Sequence, residues 1–245
     1  MAFKAFLKSA TVAGAMALSL GFAQPAAAAP FTLGQGASSI FGSYGHQNVT
    51  ITGPGGVSAG AFDVQVTAGS HGVAHLATRF AAFCLDINNW LRLPSQYDVT
   101  TSPFTSDVLS TQQRADIRAL FNTGYSAAML GNANYSTGFQ LALWEIANET
   151  GGYNIGTGSF IATGANSATG ALTAATTLLN GLGGPGFGGN WRVIYLQSLD
   201  GDDNNLTQDS QSLVTVAAVP VPAAGLLLLA ALGGLGLARR RRKAA

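Results

Sequence analysis

The sequence has few charged residues and almost no lysine. Charged residues make up 9% of the 245 positions, and no lysine lies between Lys8 and Lys243. Between residues 30 and 218 five arginines face eleven carboxylates, which gives this part a formal net charge of −6. Nucleic-acid binding requires clustered lysine and arginine side chains that contact phosphates. The composition therefore argues against a nucleic-acid partner.

The sequence also has only one cysteine, so it cannot form an intramolecular disulfide. Cys84 lies in the stretch RFAAFCLDINNW. In an exported protein, a lone thiol is expected to be buried, bonded to another chain, or committed to a chemical reaction. From the cysteine alone, all three interpretations stay open.

The N-terminus has the pattern of a secretory signal peptide. Lys4 and Lys8 precede an apolar stretch, and a run of alanines then offers a cleavage site. We assign residues 1–29 to this signal and expect cleavage after Ala28. The chain is therefore expected to be exported.

The C-terminus is typical of a membrane-spanning segment. Residues 222–238 are uncharged and mostly apolar, a little short of the ~20 residues that a spanning helix needs. A basic cluster follows directly, and basic residues favour the cytoplasmic side of a membrane. A plain membrane anchor is the simplest interpretation. The cluster consists of Arg239, Arg240, Arg241, Arg242 and Lys243.

The order of features in residues 219–245 is more specific than an anchor requires. A Val-Pro-x-Pro-Ala motif comes first, then the apolar segment, then the arginine cluster. This order resembles the PEP-CTERM class of sorting signals, in its VPLPA variant, found on envelope proteins of Gram-negative bacteria. The resemblance implies that an exosortase-type membrane transpeptidase is a partner. It also implies a cell-envelope or cell-surface location, with at least transient anchoring by the C-terminal helix. The motif residues are Val219, Pro220, Val221, Pro222 and Ala223.

The part between the two ends, residues 30–218, is long enough for one domain with a hydrophobic core. Its early part alternates apolar and polar residues, which predicts strands. Its middle predicts three helices, the first beginning at Ser110 with Gln113 in a capping box. Two further strands follow. This order favours an α+β domain, a β sandwich or barrel with an inserted helical block. The predicted strands are 47–53, 61–69, 73–87, 191–199 and 211–219, and the helices 110–125, 136–153 and 167–184.

Two polar residues stand out against these patterns. If alternation continues through residues 73–87, Cys84 shares the polar face with Asp86, opposite Phe83, and lies off the core. In the second helix, Gln140 falls within the apolar arc, while Glu145 falls on the polar side. A carboxamide buried without partners costs about 1–3 kcal/mol. Both residues therefore need an explanation.

One chemistry explains both residues. A cysteine thiolate can attack a glutamine carboxamide, expel ammonia and leave an internal thioester, provided that water is excluded and that the neighbourhood lowers the pKa of the thiol or supplies a base. Apolar neighbours of Gln140 on the same helix would shield the product from hydrolysis. These neighbours are Phe139, Leu143 and Trp144.

The stretches FCLDI and FQLALWEI, in this order, resemble the two motifs of the Cys-Gln thioester domains of bacterial surface adhesins. The resemblance covers about residues 81–152. It implies that Cys84 is the thioester sulfur and Gln140 the acyl donor, with Phe83, Asp86 and Trp144 at the flanking positions. It also implies covalent attachment to an amine on a surface or matrix target. Phe139 departs from the threonine that often precedes the glutamine in this family.

Less specific interpretations remain. Gln140 could bond a backbone carbonyl in the core, and Cys84 could simply pack there. The chain would then be a non-covalent structural or carbohydrate-binding matrix protein with the same sorting tail. In either case we expect a protein that does not turn over a substrate, without cofactor or metal. An acidic turn at Asp200, Asp202 and Asn204 lacks the features of a calcium loop.

Overall fold

The computed structural model describes residues 29–101, 109–164, 169–184, 190–199 and 210–219. The described part contains nine strands and three α-helices, so the predicted α+β class is confirmed. The strands are β1 Phe31–Gln35, β2 His46–Ile51, β3 Gly55–Gly60, β4 Phe62–Ala68, β5 Arg79–Cys84, β6 Ser95–Thr100, β7 Ala162–Thr163, β8 Trp191–Ser198 and β9 Leu213–Ala218. The helices are α1 Thr111–Gly124, α2 Ala133–Asn148 and α3 Thr169–Asn180, and a short 3₁₀ turn spans Ala127–Met129.

Six strands close a barrel in the order β1-β4-β5-β9-β8-β6, and every neighbouring pair is antiparallel. The other three strands form a small sheet in the order β3-β2-β7. Of the predicted sandwich and barrel, the barrel is therefore correct. It joins strands that are far apart in the chain, since β5 pairs with β9, where Phe83 lies opposite Val214.

Helices α1 and α2 lie between β6 and β7 in the chain and α3 lies between β7 and β8, so the helices are inserted between strands, as predicted. The capping box of α1 is confirmed: the Ser110 hydroxyl accepts from the Gln113 backbone N–H, and the Gln113 side chain accepts from the Ser110 N–H. Both bonds satisfy N–H groups that the first helical turn leaves unpaired. The start of the helix is therefore fixed by its own sequence.

Helix α2 is the central element of the structure. It contacts α1, α3, the small sheet and strand β5, and every residue from Ser136 to Ile146 is buried. Gly138 lets α3 approach closely, because a Cβ at this position would lie 2.6 Å from the Cβ of Ala174. A helix enclosed on all sides has no solvent face. The predicted polar side was therefore wrong at Glu145, which is fully buried.

The described helices include none with the length and apolar character that a membrane crossing requires. The predicted signal peptide lies outside the described residues, apart from residue 29. The predicted sorting segment does so as well, apart from Val219.

Candidate functional site

Cys84 is the last residue of strand β5 and is buried, with 1% of its surface exposed. The predicted polar face was therefore wrong. Helices cover one face of β5, where Phe83 contacts Phe121 and Phe139, so the strand has no solvent side. The strand also ends at Cys84, and the polar residues that follow belong to a loop. The predicted alternation of faces continued to residue 87, whereas the strand ends at Cys84, and no sequence signal indicates that end.

Gln140 lies on α2 directly against Cys84. Its side-chain Oε1 accepts a hydrogen bond from the Cys84 N–H at 2.9 Å, and its Nε2 donates to the Cys84 carbonyl at 2.7 Å. Gln140 itself is 1% exposed. The predicted position of this carboxamide in the core is confirmed, and both ends of the group have partners.

The barrel explains why Cys84 offers its backbone to a side chain. The last residue pair between β4 and β5 is Phe62 with Ala82, so Cys84 has no paired residue on β4. On the other edge, β9 is still bonded, since the Leu85 N–H donates to the Ser212 carbonyl. The carboxamide of Gln140 replaces the missing strand, because an unpaired buried N–H or C=O is costly.

This arrangement makes the two predicted reaction partners neighbours. A cysteine sulfur lies within about 4 Å of its own backbone nitrogen, given standard bond lengths. The Cys84 nitrogen in turn is 2.9 Å from the Gln140 Oε1 atom. The sulfur is therefore at most about 7 Å from that oxygen. Formation of the thioester would require both side chains to rotate. The Nε2 bond to the Cys84 carbonyl would have to break in that step.

The residues predicted to exclude water are all close to this pair in the chain and buried. Phe83, Phe139 and Leu143 have no exposed surface, and Trp144 is 4% exposed. Phe83 and Phe139 lie face to face at a tilt, with ring centroids 4.7 Å apart. The pair is therefore enclosed by apolar side chains.

The surroundings of Cys84 keep its thiol protonated. Burial raises the pKa of the thiol well above its ordinary value of 9.0, and the nearby Asp86 carboxylate raises the pKa further. The indole N–H of Trp144 and the backbone of Asp86 act in the opposite direction on this pKa. The thiol donates to the Asp86 carbonyl at 2.9 Å. It is thus a neutral group at pH 7, and the expectation that its surroundings lower the pKa of the thiol was wrong.

Asp86 organises the loop that follows the strand. Its carboxylate accepts from the Asn88 backbone N–H at 2.9 Å and from the Asn89 side chain. This is an Asx turn, in which a short carboxylate bonds the backbone two residues further on. The stretch DINN carries that signal, so the turn could have been predicted from the sequence. Asp86 was predicted only as a flanking residue of the motif.

A second group of residues near Trp144 was missed. Phe160 is buried against Trp144, with ring centroids 6.3 Å apart. The Glu149 carboxylate holds this segment by accepting from the backbone N–H groups of Ser159 and Phe160. Glu145 accepts from the Asn154 N–H at 2.6 Å, and burial raises the pKa of its carboxyl group. No local pattern connects Phe160 to α2, because the contact is made by tertiary structure.

Other predicted residues are not part of this site. Val219 is exposed, and its N–H donates to the Asn190 carbonyl. The rest of the sorting motif and the acidic turn lie outside the described residues. Among the residues that the structure describes, no group of three His, Cys, Asp or Glu side chains could hold a metal. The remaining sorting residues are Pro220, Val221, Pro222, Ala223, Arg239, Arg240, Arg241 and Arg242.

No protein-family model matches this chain, and no curated protein matches it either. The resemblances to sorting signals and to thioester domains therefore stay predictions.

Proposed function

We propose that this chain is an exported surface or matrix protein whose domain forms a thioester between Cys84 and Gln140. The thioester would attach the protein covalently to an amine on a surface or matrix target. The sorting segment, residues 219–245, would direct it through an exosortase-type membrane transpeptidase to the envelope of a Gram-negative bacterium. The observation that carries the proposal is the pair of hydrogen bonds between the Gln140 carboxamide and the Cys84 backbone in a closed apolar site.

The chemistry balances without an added acid or base. The Cys84 sulfur bonds to the Gln140 carboxamide carbon, the C–N bond breaks, and ammonia leaves with the thiol proton. The thiol is protonated here, and its proton must pass to the leaving nitrogen as the sulfur attacks, because the thiolate is the nucleophile. In the second step, the nitrogen of an amine bonds to the same carbon, and the proton returns to sulfur. The product is an amide at Gln140 and a free Cys84 thiol.

The raised pKa of the thiol also favours storage of the thioester. A thiol with a higher pKa is a poorer leaving group. The thioester would therefore react slowly while the site stays closed. It would react once in the lifetime of a protein molecule, so the protein would not be an enzyme.

A non-covalent matrix protein is the second candidate. The observation that favours it is that the Gln140 carboxamide already has two hydrogen-bond partners. In that case, Gln140 only completes the edge of β5, and Cys84 is a packed thiol.

Intact mass measurement of the full chain separates the two candidates. The native protein is compared with Cys84→Ala and Gln140→Ala variants purified in the same way, so that processing at either end cancels. We expect the native protein to lack the mass of one ammonia and to gain methylamine covalently. The variants should show neither effect. A native mass with no ammonia missing, together with a Cys84 thiol that reacts on unfolding, would contradict the thioester.

A further inference from the structure

A cleft opens beside the Cys84–Gln140 pair. It lies between the small sheet and the loop 87–93, and its volume is about 620 Å³, within the range of small-molecule sites. Trp144 forms part of its wall. The same indole lies close enough to the Cys84 sulfur to oppose the rise in the thiol pKa. Trp144 therefore separates the cleft from the sulfur.

Oε1 of Gln211 is a buried polar atom on the cleft wall without a hydrogen-bond partner among the described residues. The indole Nε1 of Trp144 is directed at the Cys84 sulfur and lowers the pKa of the thiol, so it does not require a ligand. Buried polar groups are normally satisfied, so the Gln211 oxygen indicates that a polar ligand belongs here.

The cleft carries no charge on any of its described lining residues. Its polar groups are mostly carboxamides, from Gln35, Asn88, Asn89 and Gln211. A carboxamide both donates and accepts, which suits hydroxyl groups that do the same. An ionic ligand would lose its hydration without gaining a counter-charge. The occupant is therefore expected to be neutral and rich in hydroxyl groups.

Trp90 adds an aromatic surface at the cleft. It is 62% exposed, which is unusual for so large an apolar side chain, and it belongs to the loop that Asp86 fixes behind Cys84. A flat, exposed ring with carboxamides nearby can stack on the apolar face of a sugar ring while the amides bond its hydroxyl groups. The remaining walls are apolar, from residues such as Ile51, Val57 and Leu93.

We propose that this cleft binds an uncharged stretch of glycan that carries a free amino sugar. The sugar amine would then pass Trp144 and react with the thioester. The inference rests on the proposed function and names its target class. An amino sugar suits this reaction, because only an unprotonated amine attacks the thioester and a lysine amine, with a pKa near 10.4, is mostly protonated at pH 7. The amine of an amino sugar is a weaker base, so more of it is neutral at pH 7.

The test compares three nucleophiles on the full chain. Methylamine reports the thioester alone, glucosamine supplies an amine of similar basicity to that of the oligomer, and a short oligomer of glucosamine reports the thioester and the cleft together. We expect the oligomer to form its adduct about tenfold faster than glucosamine at equal concentration of neutral amine, by the gain of roughly 1.4 kcal/mol in binding. Trp90→Ala should remove this advantage and leave the methylamine rate unchanged. Met129→Ala, at another exposed apolar residue, is the control and should change neither rate.

Three outcomes would overturn the assignment. The first is an oligomer advantage that survives in Trp90→Ala. The second is no advantage at all. The third is a Trp90-dependent advantage for a neutral peptide with one lysine in place of the oligomer, which would make the cleft a peptide site.

Failure of the proposed function can be told apart from failure of the cleft. If methylamine gives no adduct, the thioester is wrong. The cleft is then tested by calorimetry of the fully acetylated oligomer with the Cys84→Ala chain, which cannot form a thioester. Binding that Trp90→Ala removes would support a glycan cleft, and no binding would overturn it.

Discussion

Helix α2 bonds to strand backbone in two buried places that differ in one respect. Near its start, the Ser136 hydroxyl accepts from the Ala61 N–H at 2.9 Å, and the Thr137 hydroxyl donates to the Ala59 carbonyl at 2.8 Å. One turn further on, Gln140 bonds both backbone groups of Cys84. Both contacts bond backbone groups near the start of β4. Ala59 and Ala61 precede β4, and Cys84 lies just beyond the last residue of β5 that pairs with β4. Only the second contact places a thiol beside a carboxamide.

The comparison shows what docking alone requires. At the first place two hydroxyl groups satisfy the backbone, and at the second place one carboxamide does the same. Docking of the helix therefore explains Gln140, but it does not require a cysteine at position 84. Whether the thiol and the carboxamide react is what the following variants test.

The largest effect is expected from Gln140→Ala. In the thioester the Gln140 nitrogen has already left, so the change would unpair the Cys84 N–H, at about 1–3 kcal/mol, and would remove the cross-link. A cross-link between residues 56 apart stabilises a fold by about 4 kcal/mol in the chain-entropy model. The free energy of unfolding, measured in urea by tryptophan fluorescence, should fall by more than about 5 kcal/mol.

Cys84→Ala is the informative partner of that variant, because its Gln140 carboxamide stays intact and can make both hydrogen bonds to the backbone of residue 84. We expect a loss of about 4 kcal/mol, from the cross-link. A loss of about 1 kcal/mol, the size expected for a small truncation in the core, would mean that the two residues are joined only by hydrogen bonds.

How far the sequence could predict this site depends on the range of each contact. The capping box at Ser110 and the burial of Gln140 follow from local patterns, and both are confirmed. The burial of Cys84 does not, because it depends on where β4 leaves the sheet and on the helices that cover β5. The strands β1, β3, β6 and β7 were also missed. Strand β3, with the sequence GGVSAG, is too rich in glycine to resemble a strand by propensity.

The cleft was beyond prediction for the same reason. Its walls come from β2, β3, the loop 87–93 and α2, which meet only in the folded chain. Trp90 was visible in the sequence as a large residue next to two asparagines, but nothing local marks it as exposed. Exposure of a single tryptophan is decided by what the rest of the chain leaves uncovered.

A smaller effect is expected at the first docking place. Thr137→Val keeps the shape of the side chain but leaves the Ala59 carbonyl without its donor. The free energy of unfolding should fall by about 1–2 kcal/mol. The intact mass of this variant should still be one ammonia below its calculated mass. If the Thr137→Val protein has its full calculated mass, the position of the whole helix, and not the local pair, controls the chemistry.

The smallest effect is expected at the free Cys84 thiol that methylamine would release from the thioester. Because burial raises the pKa of this thiol above its ordinary 9.0, the thiol stays protonated at pH 8, and iodoacetamide should modify it slowly. A raised pKa means that the protonated thiol stabilises the fold below pH 9. This contribution is lost as the pH rises from there towards the raised pKa. The rate of modification should therefore still climb above about pH 10, where a solvent-exposed cysteine with the ordinary pKa of 9.0 would level off. Asp86→Asn keeps an oxygen that can accept from the Asn88 N–H but removes the negative charge that raises this pKa, so it should shift the profile to lower pH. An unshifted profile would show that burial alone sets the thiol chemistry, and Asp86 would then act only through the loop that carries Trp90.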